Sequence, residues 1–269
     1  MDHIRDSTCS FFQLPHTRPV VTTPSIQTRD ARIEYQAGEM WLEASLAEHA
    51  SIASFARFVQ ELLWHSAPPE LVTSALQAAA EEVEHAQTSF AIASRLLGKS
   101  LGPGPLPLVS PRNTSLAELA LSTFEEACIE ESFGALLAAT AAEYCTDDDI
   151  RSALLKIAEE EARHAELAWR TVSWALQAQG DSVRDAIDAH IARRHGLRFP
   201  NETDDLEVQL LSLGVVTGRT LHQVEKRSWH EIVLPLWAEL RATIPLQHAD
   251  APASNTTFPK TPPRTPAHR

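Results

Sequence analysis

Residues 159–169 read EEEARHAELAW, and the direction in which each side chain points decides what kind of helix this is. A helix packed against others repeats its apolar positions alternately every three and four residues. Across 148–178 that repeat runs through Ile150, Leu154, Ile157, Glu161, His164, Ala168, Val172 and Ala175. Glu159 falls instead with Lys156, Arg163, Glu166 and Arg170 on a solvated face, and Glu160 falls with Ala153, Lys156 and Arg163. One Glu and one His, three residues apart, therefore interrupt an apolar seam.

The segment 69–97 repeats the pattern. Its seam is Leu71, Ala75, Ala78, Glu82, His85, Ser89, Ile92 and Leu96, while Glu81 and Glu84 fall with Gln77 and Thr88 and are expected to face outward. Two further segments each place one acid on an apolar seam. Near 37–65 the seam is Trp41, Glu48, Ile52, Phe55, Val59 and Leu62, with Glu43 off it. Near 115–145 it is Ala120, Phe124, Ala127, Glu131, Ala135, Ala138 and Ala142. Glu131 is the better placed acid there, and Glu130, which shares a line with Thr123, Glu126, Phe133 and Leu137, is the alternative.

The two halves resemble each other. SALQAAAEEVEHA (74–86) and SALLKIAEEEARHA (152–165) align with one inserted residue. Glu48 precedes Glu82 by 34 residues, and Glu131 precedes Glu161 by 30. Each half is one acid, a turn, then E-x-x-H, so the pattern predicts a site with pseudo-twofold symmetry.

Punctuation at HSAPPE (65–70), GKSLGPGPLPLVSPRNTS (98–115), CTDDDI (145–150) and QAQGDS (177–182) separates these segments. Long helices, a short loop, a long crossover and another short loop describe an all-α four-helix bundle built from two hairpins. We expect the bundle over 36–180, preceded by a poorly ordered segment, 1–35. A helical extension is expected over 181–246, with RFPNETDD as a loop inside it, then a disordered Pro/Thr-rich tail, 247–269.

The chain of 269 residues carries 23 Lys plus Arg against 36 Asp plus Glu, a formal net charge of -13. That balance disfavours nucleic-acid binding through broad phosphate neutralisation. Cys9, Cys128 and Cys145 form no CxxC pair, which argues against a disulfide framework, a zinc ribbon or a rubredoxin module. The N-terminus lacks a signal-peptide pattern and no apolar run suits a membrane span, so a cytoplasmic protein is expected.

Four carboxylates converging in an apolar interior need compensation, because one buried unpaired charge costs several kcal/mol. None of the four seams carries Arg or Lys. Two divalent cations balance four negative charges, and two neutral imidazoles complete the shells. Three-residue spacing puts Glu and His on adjacent turns of one face. Oxygen-rich sites with a few imidazoles favour iron or manganese over thiolate-seeking metals. His49 points about 100° from Glu48 and suits a surrounding position. His222 and His230 are candidates for an extra ligand, although ordinary packing or exposure accounts for both.

Residues of about 40–178, with these motifs, resemble the ferritin-like di-iron carboxylate superfamily. The resemblance is to its branch with two E-x-x-H motifs, which includes rubrerythrin-type proteins and bacterial carboxylate-bridged oxygenases. AEHASIASFARF (47–58) and FEEACIEESFGAL (124–136) are similar to segments of the tRNA-modifying di-iron hydroxylases and related ferritin-like proteins. The resemblance implies two Fe ions, with Mn or mixed Mn/Fe accommodated by the same donors. Glu48 and Glu131 would be terminal ligands, Glu82 and Glu161 bridging ligands, and His85 and His164 one imidazole on each metal. It further implies an O2-activating oxidase or hydroxylase acting on a small molecule, supplied with electrons by an external donor. A ferroxidase or metal-handling protein without an organic substrate is the alternative, and a non-enzymatic bundle acting through its tails is a third. Assembly into an oligomer is compatible with either metal-using role. Three departures bear on these expectations. There is no internal rubredoxin module, classical ferritins carry only one E-x-x-H, and a tRNA substrate fits poorly with the acidic charge. Tyr144, 13 residues beyond Glu131 and about 20 Å along a helix, is too far to act as a neighbouring radical tyrosine.

Overall fold

The computed structural model describes residues 30–106 and 114–243. Among them every regular element is helical. The order is α1 (Ala31–Trp64), α2 (Pro69–Leu97), α3 (Leu116–Thr123), a π-helical turn (Phe124–Ile129), α4 (Glu130–Tyr144), α5 (Asp148–Arg193), α6 (Glu207–Leu211), α7 (Gly218–Arg227), a second π-helical turn (Ser228–Val233) and α8 (Leu234–Thr243). No helix among the described residues is long and apolar enough to cross a membrane. The Pro/Thr-rich tail expected over 247–269 and Cys9 lie outside the described residues.

Local chemistry sets the ends. Asp30 caps α1 by accepting from the Arg32 N–H, so the helix starts at Ala31 and not near 37. Residues 31–35, expected to be poorly ordered, therefore belong to the helix, and Ile33 is buried. A turn with Ser66 at φ 52° and a Pro at the first position of α2 close the first hairpin. Gly98, at φ 65°, ends α2 in the left-handed conformation. Ser115 and Glu118 form a reciprocal capping box at the start of α3, and Asp147 caps α5 through the Ile150 N–H. QAQGDS does not end α5 as expected. The backbone departs from helical geometry at Gln179 and the helix resumes, because Val183 and Ile187 beyond the kink remain fully buried.

α1 packs on α2, α3 and α4 pack on α5, and α2 also packs on α5, so two helical hairpins lie side by side. The apolar interior forms two separate clusters. Along α5, Ile150, Leu154 and Ile157 belong to one and Leu167, Val172 and Leu176 to the other. Along α1 the change falls between Leu42 and Phe55, and along α2 between Ala78 and Phe90. On each helix the acids and histidines of the seams occupy that gap. The polar layer thus divides the core at mid-length.

The C-terminal extension docks on both hairpins. Trp41 Nε1–H donates to Leu213 O at 2.9 Å, and the Thr146 N–H donates to Ser212 O at 3.0 Å. Gly214 has φ +76°, and a Cβ there would lie 2.7 Å from Ile150 Cγ2, so only glycine fits this close approach. Glu225, 1% exposed, accepts from Arg194, Arg198 and the backbone N–H groups of Arg198 and Phe199. The second π turn precedes Pro235, whose missing N–H cannot continue the α ladder.

Candidate metal centre

The six seam residues meet. Glu48, Glu82, His85 and Glu161 form one group of donors, and Glu82, Glu131, Glu161 and His164 form a second. Within each group the donor atoms lie within 4.8 Å of one another, close to twice a metal–donor bond of about 2.1 Å. Glu82 and Glu161 belong to both groups. These are Glu and His side chains that could hold a metal ion, on four different helical stretches.

The imidazoles are the best-defined part. His85 Nδ1 lies 3.2 Å from Glu161, 3.8 Å from Glu48 and 3.9 Å from Glu82. His164 Nδ1 lies 3.1 Å from Glu82, 3.7 Å from Glu161 and 4.0 Å from Glu131. Despite these approaches neither Nδ1 has a hydrogen bond of acceptable geometry, and Glu82 Oε2 likewise lacks a partner. Buried polar atoms are almost always satisfied, so three orphaned donor-type atoms in one cluster fit a cation.

The outer nitrogens are occupied. His85 Nε2 lies 3.0 Å from Glu160 Oε2, and His164 Nε2 lies 2.9 Å from Glu81 Oε2. The pairing crosses between α2 and α5 in both directions, in keeping with the repeat. A carboxylate on Nε2–H fixes the tautomer that leaves the Nδ1 lone pair facing inward. Glu81, expected to face outward, is thereby corrected. Its Cα direction is lateral, but its side chain reaches across to α5 and is only 13% exposed. Glu160 is buried for the same reason, whereas Glu159 is exposed and pairs with Arg163. The doubled acid in E-E-x-x-H was a visible signal for these partners.

Charge is unevenly distributed. Burial, with the negative charges of Glu161 and Glu82, pushes the Glu48 carboxyl well above the ordinary range. Burial, with the hydrogen bond and charge of Glu161, does the same to Glu131. For Glu161 burial works in the same upward direction, but protonated Glu131 and the closely approaching imidazoles of His164 and His85 outweigh it and hold the carboxylate ionised. Burial alone would lower both imidazoles. The close approach and negative charge of Glu161, with further acids, raise His85 to about 9 and His164 to about 10.

Glu130 lies outside the cluster, and both its oxygens accept from Arg198 Nη1, at 2.8 and 2.9 Å. A π turn ends at Ile129, directly before this Glu–Glu pair. Such turns insert one extra residue and recur at functional sites. His49, half-buried, and His222, whose Nδ1 is 2.8 Å from Phe199 O, belong to neither donor group. His230 and Tyr144 are exposed. Cys128 and Cys145 are buried thiols, and Cys145 Sγ donates to Asp147 O and Ser212 O.

Three spaces reach the cluster, one of them a polar cleft of about 110 Å³ lined by Glu81, His164, Arg163 and Arg170 among others. A cavity of about 240 Å³ is walled by α1, α4, α5 and Gly214–Val216, and among the described residues Glu48 and Glu161 are its ionisable side chains. A smaller space of about 50 Å³ meets Glu131 and is lined by Arg57, Glu61 and Glu126 among others. Arg57 and Glu126 pair across it. Comparison with protein-family models, with curated proteins and with solved structures finds no match.

Proposed function

We propose that the chain is a ferritin-like four-helix bundle of the two E-x-x-H type and an O2-activating di-iron oxidase or hydroxylase. The observation behind this reading is the overlap of the two donor groups on Glu82 and Glu161. Carboxylates shared between two sets of donors are what a dinuclear centre requires, with one acid and one imidazole left for each metal. Glu48 and His85 would complete one metal site, and Glu131 and His164 the other. Bound iron supplies the redox chemistry that activates O2. The chain's own part is to hold the imidazoles through Glu160 and Glu81 and to seat the substrate in an apolar cavity. In the overall reaction a C–H bond is replaced by C–OH, and the second oxygen atom leaves as water. Two electrons come from an external flavin or iron–sulfur reductant, and two protons come from solvent.

A ferroxidase reading draws on the narrow space beside Glu131, whose two further acids, Glu61 and Glu126, suit metal entry. The larger apolar cavity favours an organic substrate. The test is metal analysis followed by single-turnover mixing of the reduced protein with O2. About two iron or manganese ions per chain are expected, with one oxidation event that then waits for a reductant. One zinc per chain, or a reduced centre indifferent to O2 over hours, refutes the proposal. Repeated turnover with added Fe(II) and growth of a ferric mineral selects the ferroxidase.

A further inference from the structure

The internal repeat makes the two metal-ligand sets near equivalents, but the spaces beside them are unequal. The cavity at Glu48 and Glu161 holds about 240 Å³, and the one at Glu131 about 50 Å³. Only the larger of the two is walled in part by residues outside the repeat. Gly214, Val215 and Val216 form one wall of the larger cavity, held there by the Trp41–Leu213 hydrogen bond. The hairpins supply the rest, including Met40, Leu137, Leu154 and Ile157. Gly134 opens the floor: a Cβ there would stand 3.6 Å from Glu161 Oε2, so any longer side chain would cover the carboxylate.

We infer that the segment Gly214–Val216 and α1 form the substrate pocket, which selects a neutral, apolar molecule and presents it at the Glu48/His85 end of the centre. This rests on the oxygen-activating reading above. Size follows from scaling: a cavity of about 150 Å³ accepts benzene, so this one suits about ten non-hydrogen atoms. Chemistry follows from the lining. Trp41 Nε1 is committed to Leu213 O, and no cationic side chain among the described residues lines the wall. A carboxylate or phosphate would find no cationic side chain in this lining and would face Glu48 and Glu161, a desolvation that proteins avoid. The smaller space contains Arg57, Glu61 and Glu126 and lacks the volume for such a molecule.

The test uses the full-length, metal-loaded protein and isothermal titration calorimetry with naphthalene, a neutral ten-carbon probe, and with 2-naphthoate, its anionic counterpart. Naphthalene is expected to bind one per chain, and 2-naphthoate at least about tenfold more weakly. Val216→Phe, which fills the wall, and Ala44→Phe, at the exposed mouth, should each weaken naphthalene binding by about tenfold or more while metal content is unchanged. Leu155→Phe, on the exposed face of α5, should leave binding unaltered. If Val216→Phe does not fold, Ala44→Phe decides. Naphthalene that fails to bind, or binds both variants as it binds the parent, overturns the inference even if the reduced protein reacts with O2. Selective binding by a protein indifferent to O2 supports the pocket and overturns only the oxygen-activating reading.

Discussion

Glu160→Gln is the most informative single change, because it separates a carboxylate that supports a ligand from one that merely decorates a helix. Glu160 Oε2 lies 3.0 Å from His85 Nε2, with its side chain 10% exposed. Arg163 at 3.5 Å and Lys156 at 3.9 Å are its other partners. A glutamine keeps the shape and can still accept the Nε2–H, but the negative charge that makes the imidazole a stronger donor is lost. Removing such a partner lowers metal affinity by about 10–100-fold, equivalent to about 1.4–2.7 kcal/mol. Glu160→Ala should do more, since a buried N–H without an acceptor costs about 1–3 kcal/mol.

The comparison is internal. Glu159, one residue away, is 80% exposed and pairs only with Arg163. Exposed pairs contribute about 0–1 kcal/mol, and this one touches no ligand, so Glu159→Gln should leave metal affinity within about twofold. Glu81→Gln should match Glu160→Gln, because Glu81 does for His164 what Glu160 does for His85. Anaerobic Fe(II) titration against a chromophoric chelator measures all three, with helicity checked by circular dichroism. Equal affinity in Glu159→Gln, Glu160→Gln and Glu81→Gln would show that the crossed carboxylates are not part of the centre.

Four further outcomes are expected. Metal uptake should release protons and tighten as pH rises, because ligation needs the neutral form of His85 and His164, whose values stand at about 9 and 10 against the ordinary 6.5. With both raised on folding, the stability they give the metal-free protein is full below pH 6.5 and is lost as pH climbs through 9 to 10; a metal-free form that gains stability over that window contradicts this. Glu131→Ala should abolish one ligand set, whereas Glu130→Ala should leave metal content unchanged and lower stability by less than about 1 kcal/mol, read by elemental analysis and urea midpoints. Glu225→Ala should destabilise by about 1–3 kcal/mol, since it leaves Arg194 and the backbone N–H groups of Arg198 and Phe199 without their acceptor; a urea midpoint within error of the parent would rule that out.

What could be read from the chain, and what could not, follows from which interactions have a period. Glu161 and His164 were legible because they break an apolar seam, and Glu82 and His85 because they break another in the same way. Period reports where a Cα points and says nothing of where a three-bond side chain ends. Glu81 therefore read as an outward residue, although it closes on His164. The choice between Glu130 and Glu131 stayed open for a different reason. The π turn at Phe124–Ile129 inserts one residue into the helix just before the pair, and a constant period cannot register that shift. Gln179 marks the opposite error, a break in propensity overridden by the burial of Val183 and Ile187 beyond it. The docking of 206–217 was the least legible part. It depends on a carbonyl of Leu213 meeting Trp41 and on Gly214 passing against Ile150, and neither contact leaves a spacing in the sequence. Its consequence is physical: a repeated pair of hairpins by itself offers two equivalent approaches to its centre. The unrepeated segment packs against one of them, so whatever selectivity the protein has must be sought where the symmetry is broken, beside Glu48 and Val216.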